Sequence, residues 1–222
     1  MSTGGQVVSA VATVGVLLGG LWLLGDLLDT TPEAREPAVC SSSSADPTPA
    51  APGKVSGAQL CTALNRADLP ELLGTPTEQA VIASGSENES TWFDGTKTVT
   101  PEATVELDTY TVELSASYED LPVAEAVGYL GSGAETRKVL GHTAALYSGR
   151  TIGISFRLDG SDPESAPGGV ARQLLVATDP KDSGSTFELV IYRQDSQIPD
   201  DAALFRVAEK VLPTLPGWKP AT

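Results

Sequence analysis

Residues 6–25 (QVVSAVATVGVLLGGLWLLG) form an unbroken apolar run with no charged side chain. At 1.5 Å rise per residue, a helix of about 20 residues is roughly 30 Å long, the thickness of a bilayer's hydrocarbon core. The run therefore predicts one transmembrane helix within residues 1–29. A secretory signal peptide is the rival reading of an apolar N-terminal stretch. Against it, no Lys or Arg precedes the run, and Asp26, Leu27, Leu28 and Asp29 follow where an A-x-A-like site would stand. A lipoprotein fits less well, because Cys40 lies far beyond the run, behind Pro37, Ala38 and Val39. Gly15 and Gly19 form a G-x-x-x-G pair, a spacing that lets two helices approach, and so mark a candidate helix-dimer contact.

The pattern then vanishes. Residues 30–54 hold Pro32, Pro37, Pro47, Pro49, Pro52 and four consecutive serines, with almost no large apolar side chain. Such a segment cannot bury enough surface to offset its ordering entropy, which predicts a disordered tether. A flexible coil of that length reaches roughly 25 to 30 Å.

Periodicity returns over residues 55–222, which read as one extracytoplasmic domain. Ser56 with Gln59 is a capping-box start, and Leu60, Cys61 and Leu64 share a helical face. Asp68, Pro70, Glu71 and Gly74 open and close a second short helix. Residues 79–84 read as a strand and 85–101 as a polar loop interrupted by Trp92 and Phe93. Alternation runs from Thr104 to Glu119 with a change of phase: Val105 and Leu107 share one parity, Tyr110, Val112, Leu114, Ala116 and Tyr118 the other. A period of two cannot switch faces without an extra residue, so a bulge or break is expected near Asp108 and Thr109. A short helix over 121–130 capped by Asp120 is followed by strands at 137–140 and 144–147 around a Gly141–His142 turn. Further strands are expected at 151–158, 171–177 and 186–193, with a turn at Ser148 and Gly149. Asp200 and Asp201 begin the last helix, whose stripe is Leu204, Val207, Ala208 and Val211; Pro213 stops it and Trp218 is placed to dock the tail. The expected fold is α+β: an antiparallel sheet of about six or seven strands packed with N-terminal, middle and C-terminal helices, preceded by one transmembrane helix.

Charge and cysteines set the orientation. Among 222 residues the net charge is -15, with a sequence pI near 4.3. An acidic surface repels phosphate, which argues against nucleic acid as a partner. Lys and Arg near the apolar run are too few to orient it, but both cysteines lie beyond it in an acidic chain, which suits an oxidising, extracytoplasmic side. A Cys40–Cys61 disulfide would pin the tether's end to the first helix; an intermolecular Cys40 bridge beside a buried Cys61, or two reduced thiols, are the alternatives.

Four runs, VSGAQLCTALNRADLPELLGTP, LSASYEDLPV, KVLGHTAALYSGRTIGISF and IPDDAALFRVAEKVLPTLPGW, resemble a family of actinobacterial, mainly streptomycete, membrane-anchored proteins classed as a domain of unknown function. The resemblance implies no activity and no site. The order of a glycine turn, a strand meander and a closing helix is more distantly similar to Mog1/PsbP-like domains of actinobacterial lipoproteins, a likeness of architecture that does not carry function.

Chemistry is sparse. The sole histidine, His142, sits in a Gly-His turn, where a solvated imidazole is expected. No G-x-S-x-G elbow, phosphate loop or dinucleotide fingerprint is present. The acidic groups Asp159, Asp162, Glu164 and Asp179, Asp182 lack calcium-loop spacing. No catalytic residue, metal or cofactor is therefore assigned. Trp92 and Phe93, adjacent in a predicted loop, are the candidate ligand or partner contact, with core packing as the alternative. The expected function is a single-pass, membrane-anchored extracytoplasmic binding or interaction module for an envelope protein or small ligand, with a homodimer through the anchor as a further expectation. The alternatives are a structural subunit of a membrane or envelope assembly and, behind both, an enzyme with an atypical carboxylate site.

Overall fold

Most strands in this chain place apolar side chains at every second position, and a single eight-stranded sheet aligns them on one side. The computed structural model describes residues 36–42, 53–91, 95, 97–155 and 164–221, with side chains excepted over 152–166. The chain divides into two units, Met1–Glu36 and Pro37–Thr222, and the fold below is that of the second.

The strands are β1 (Ser41–Ser42), β2 (Ile82–Thr91), β3 (Lys97–Glu106), β4 (Tyr110–Ser117), β5 (Glu135–Val139), β6 (His142–Ser155), β7 (Glu164–Ala177) and β8 (Thr186–Arg193). Their spatial order is β1-β2-β3-β4-β8-β7-β6-β5. Two meanders therefore meet at their last strands, β4 and β8, which pair antiparallel from Tyr110–Arg193 to Ser117–Thr186. Helices α1 (Gly57–Leu64), α2 (Leu69–Leu73), α3 (Val123–Ala126) and α4 (Asp201–Val211), the last continued by a 3-10 turn at Leu212–Thr214, complete the described fold.

The local signals explain the helices. Ser56 and Gln59 cap α1 reciprocally, and Asp200 accepts from the Ala202 N–H to start α4. One face of each helix is buried: Leu60, Cys61 and Leu64 of α1, Leu69 and Leu73 of α2, and Leu204, Val207, Ala208 and Val211 of α4. They pack on Ala103, Val105, Val112, Leu114, Leu174, Val176, Phe187, Leu189 and Ile191, all pointing from the same side of the sheet. Each fully buried Leu, Ile, Val or Phe contributes about 1.5–3 kcal/mol. Arg172 of β7 grips the Asp201 carboxylate, Nη2 to Oδ2 at 2.8 Å, tying α4 to the sheet. Where α1 begins, it touches β2 through two glycines; a Cβ on Gly85 would lie 2.3 Å from the Gly57 carbonyl oxygen.

Cys40 and Cys61 are joined in a disulfide, with Cα atoms 6.0 Å apart. The bond anchors the end of the expected tether to α1. There, Ala38 N–H donates to Ala80 O at 2.8 Å, and Ser41–Ser42 adds a short parallel strand to β2.

The expected fold is corrected in several respects. The sheet has eight strands rather than six or seven, and it is mixed, because β1 runs parallel to β2. Among the described residues the fold is mostly β, with few helices. Among the described residues, no helix is long and apolar enough to cross a membrane; the span expected at residues 6–25 lies outside them. The stretch read as a polar loop at 85–101 supplies most of β2 and the start of β3, whose cross-strand partners run from Ile82–Glu106 to Thr91–Lys97. The expected turn at Ser148 and Gly149 is absent: both lie within β6, opposite Arg172 and Ala171. The break near Asp108 and Thr109 is a reversal between β3 and β4, with Leu107 N–H bonded to Tyr110 O at 2.7 Å.

Candidate functional site

The same alternation that buries one side of the sheet sends other residues to the opposite side. On β4, TVELSAS places Val112, Leu114 and Ala116 inward and Thr111, Glu113, Ser115 and Ser117 outward. The register then brings outward residues of neighbouring strands together. Ser115 is opposite Glu102 of β3 on one side and Glu188 of β8 on the other, and Glu113 is the next outward residue along β4. At about 4.8 Å between strands, Glu102 and Glu188 stand roughly 10 Å apart with Glu113 beside the line joining them. Glu106 of β3, opposite Thr111, is a fourth carboxylate on this face. No outward position of β2, β3, β4, β6, β7 or β8 among residues with described side chains is Lys or Arg.

Two tyrosines frame the carboxylates. Tyr192 donates its hydroxyl hydrogen to Glu113 Oε1 at 3.2 Å, and Tyr147 donates to Glu188 Oε1. Asn88 of β2 donates to Glu102 Oε2 at 2.6 Å. Burial pushes the Glu113 carboxyl above the usual carboxylate range; the Tyr192 hydrogen bond opposes this, while the charges of Glu102 and Glu188 add to it. Burial also raises both phenols, helped by Glu188 at Tyr147 and by Glu113 at Tyr192. The result is a face whose negative charges crowd one another and are held by hydroxyl and amide donors instead of by cations. It is half-buried side by side yet has no helix of the described residues above it; α3 covers only the β6–β7 end, with Val123 packed on Ala145 and Ala177.

The residues singled out from sequence are distributed elsewhere. Trp92, Phe93, Gly15 and Gly19 lie outside the described residues. Cys40 and Cys61 bond to each other. His142 is not solvated: it is fully buried beneath Trp218, whose ring it stacks against. Asp159 and Asp162 lie outside the described residues, as does the Glu164 side chain. Asp179 serves its own turn, accepting from Lys181 N–H at 2.9 Å and from the Ser183 hydroxyl, the first cause of its lowered carboxyl pKa. Asp182 caps a helix from a distance, accepting from Val123 and Ala124 N–H at 2.7 and 2.9 Å. Asp120, expected to do that work, does not.

Sequence reasoning missed Glu102, Glu113, Glu188, Tyr147 and Tyr192 as a group. Each is an ordinary outward residue within an alternating strand. Only the pairing of β4 with β8, strands separated by more than sixty residues, brings them to one place.

No curated protein and no solved structure matches the chain. A family described as of unknown function, DUF6215, matches residues 1–133, which take in β1 to β4 and α1 to α3 and stop short of β5. By that match over more than half its length, the chain belongs to the DUF6215 family of unknown function.

Proposed function

We propose that this protein is an extracytoplasmic binding or interaction module, and that its contact surface is the outward face of the sheet around Glu102, Glu113 and Glu188. The observation that carries the reading is this face itself: crowded carboxylates with no Lys or Arg at the described outward positions of β2, β3, β4, β6, β7 and β8, flanked by two tyrosines. The chemistry it suits is cationic, a lysine- or arginine-bearing segment of an envelope protein or a small amine. Such a partner would relieve the repulsion among the carboxylates and gain aromatic contact from Tyr147 and Tyr192. The placement outside the cytoplasm is supported by the disulfide, by the acidic composition, and by the apolar run at residues 6–25, which suits delivery to or through a membrane. The likeness of four sequence runs to actinobacterial membrane-anchored proteins supports the same placement.

Because the whole chain is acidic, the test compares positions and not total charge. A lysine-rich peptide is titrated into the full chain, into Glu102→Gln/Glu113→Gln/Glu188→Gln, and into the exposed control set Glu71→Gln/Glu125→Gln/Glu209→Gln. The face variant is expected to lose about tenfold in affinity, about 1.4 kcal/mol, and the control about threefold or less. Equal losses from the two sets would refute the assignment of this face.

A further inference from the structure

His142 is the only histidine of the chain, and it opens β6 directly after a turn at Leu140 and Gly141, whose φ angles of 49° and 87° fold β5 back against β6. Its relative exposure is 0%. Nδ1 lies 2.8 Å from the Ala177 carbonyl oxygen, which can only accept, so Nδ1 carries the hydrogen and Nε2 of the neutral ring presents a bare lone pair. Nε2 is buried and has no hydrogen-bond partner among the described residues. Trp218 lies flat on the ring, with centroids 3.8 Å and planes 15° apart. The chain beyond the last helix is held down at this corner: Leu215 is buried, Lys219 N–H donates to Thr178 O at 3.0 Å, and Lys219 Nζ lies 3.7 Å from Asp179 Oδ2.

We propose that His142 and Trp218 form an acid-operated latch, in which neutral His142 holds the C-terminal tail against the corner of the sheet and protonation of Nε2 lets the tail go. A second proton on this ring places a buried charged donor where no described residue accepts it. The charged groups of the surrounding elements do not compensate. From β5 come Glu135, Arg137 and Lys138, all exposed, the first two paired with each other and the last bonded to the Thr143 hydroxyl at 3.2 Å. From α4, which packs against β5, come Glu209 and Lys210, also exposed, and the tail brings Lys219. The loop after β7 brings Lys181, Asp182, whose carboxylate is engaged by Val123 and Ala124 N–H, and the one buried anion among the described residues, Asp179, whose carboxylate is already engaged by Lys181 N–H, the Ser183 hydroxyl and Lys219. Stacking on the indole favours a cationic ring, yet it leaves the Nε2 hydrogen without an acceptor, whereas lifting the tail lets water supply one. The sign follows: the latch is at full strength where the imidazole is neutral, and acid weakens it. Glu102, Glu113, Glu188, Tyr147 and Tyr192 take no part, so this inference stands apart from the proposed binding function.

The test uses NMR on the full chain, where the sole histidine gives unambiguous ring signals. At pH 7.5 the ring nitrogen shifts are expected to report the Nδ1–H tautomer, and the Lys219 amide to be protected from exchange. On acidification to about pH 5, the ring-current shift from Trp218 disappears and Lys219 protection falls about tenfold beyond the intrinsic change, while the Leu189 amide in the central strand stays protected. His142→Asn, a neutral side chain able to donate to Ala177 O, is expected to abolish the acid step. If that variant does not fold, Trp218→Ala is read instead, and its Lys219 amide should be unprotected already at pH 7.5 with no acid step. An Nε2–H tautomer at pH 7.5 would overturn the latch. So would protonation of the ring with stack and Lys219 protection intact, or loss of Lys219 and Leu189 protection at one pH.

Discussion

The two faces of the one sheet are made from the same strands, and they are built to opposite specifications. Under α1, α2 and α4, Val112, Leu114, Leu174, Leu189 and Ile191 have no exposure at all. On the other side of the same strands, Glu113, Glu188, Gln173 and Tyr192 stand half-buried with no helix over them. A side-chain period of two lets each strand serve both surfaces. The difference teaches that stability is concentrated on one face, leaving the other able to carry mutual repulsion that no folding requirement explains.

The largest effect should come from the helix-covered face. Leu189→Ala leaves a cavity between β8 and the helices and is expected to cost about 2–5 kcal/mol in urea denaturation; a cost under about 1 kcal/mol would mean that this face is not the core. Next comes the bond holding the chain's entry to that face. Cys40→Ser/Cys61→Ser removes a crosslink across a sequence separation of 21 residues and is expected to cost about 3 kcal/mol, with α1 and β1 losing amide protection before β8. Asp182→Ala strips two backbone donors of α3 of their acceptor and should cost about 1 kcal/mol, loosening a helix that sits on the outward face.

Glu113→Gln should change least. Burial raises the Glu113 carboxyl in the folded state, so the folded chain holds that proton more tightly than the unfolded chain does. Its contribution favours folding below the unfolded carboxylate range and is lost as pH rises through the raised folded value. At pH 7 the variant is therefore expected to melt at or slightly above the parent temperature, within about 0.5 kcal/mol, and the gap should close as pH falls toward 4. A widening gap on acidification would reverse the sign of the argument.

How much was legible in sequence depended on how local the cause was. The Ser56–Gln59 box, the Asp200 cap, the Leu204–Val211 stripe and the alternation from Thr186 to Arg193 are complete within a few residues, and the structure has them all. The polar run SGSENEST was not legible as strand, because its pairing with β3 outweighs its poor strand propensity. Gly149 looked like a turn, but its φ is not positive; it leaves room for Gln173, whose Nε2 would lie 2.2 Å from an added Cβ. The Gly141–His142 pair suggests a solvated turn, but the turn lies one residue earlier, at Leu140 and Gly141, and His142 is covered by Trp218, far along the chain. The outward carboxylates were individually visible and collectively invisible, since their meeting depends on the order of strands and not on any motif.

The central claim is that the outward face is not needed to hold the protein together. Thermal melting of the full chain carrying Glu102→Gln/Glu113→Gln/Glu188→Gln at pH 7 tests it most directly. The account predicts a melting temperature at or above that of the parent, because charge repulsion is removed while Tyr147, Tyr192 and Asn88 keep amide partners. A fall of about ten degrees, the signature of a loss of about 3–5 kcal/mol in a domain of this size, would contradict it and make the carboxylates part of the fold.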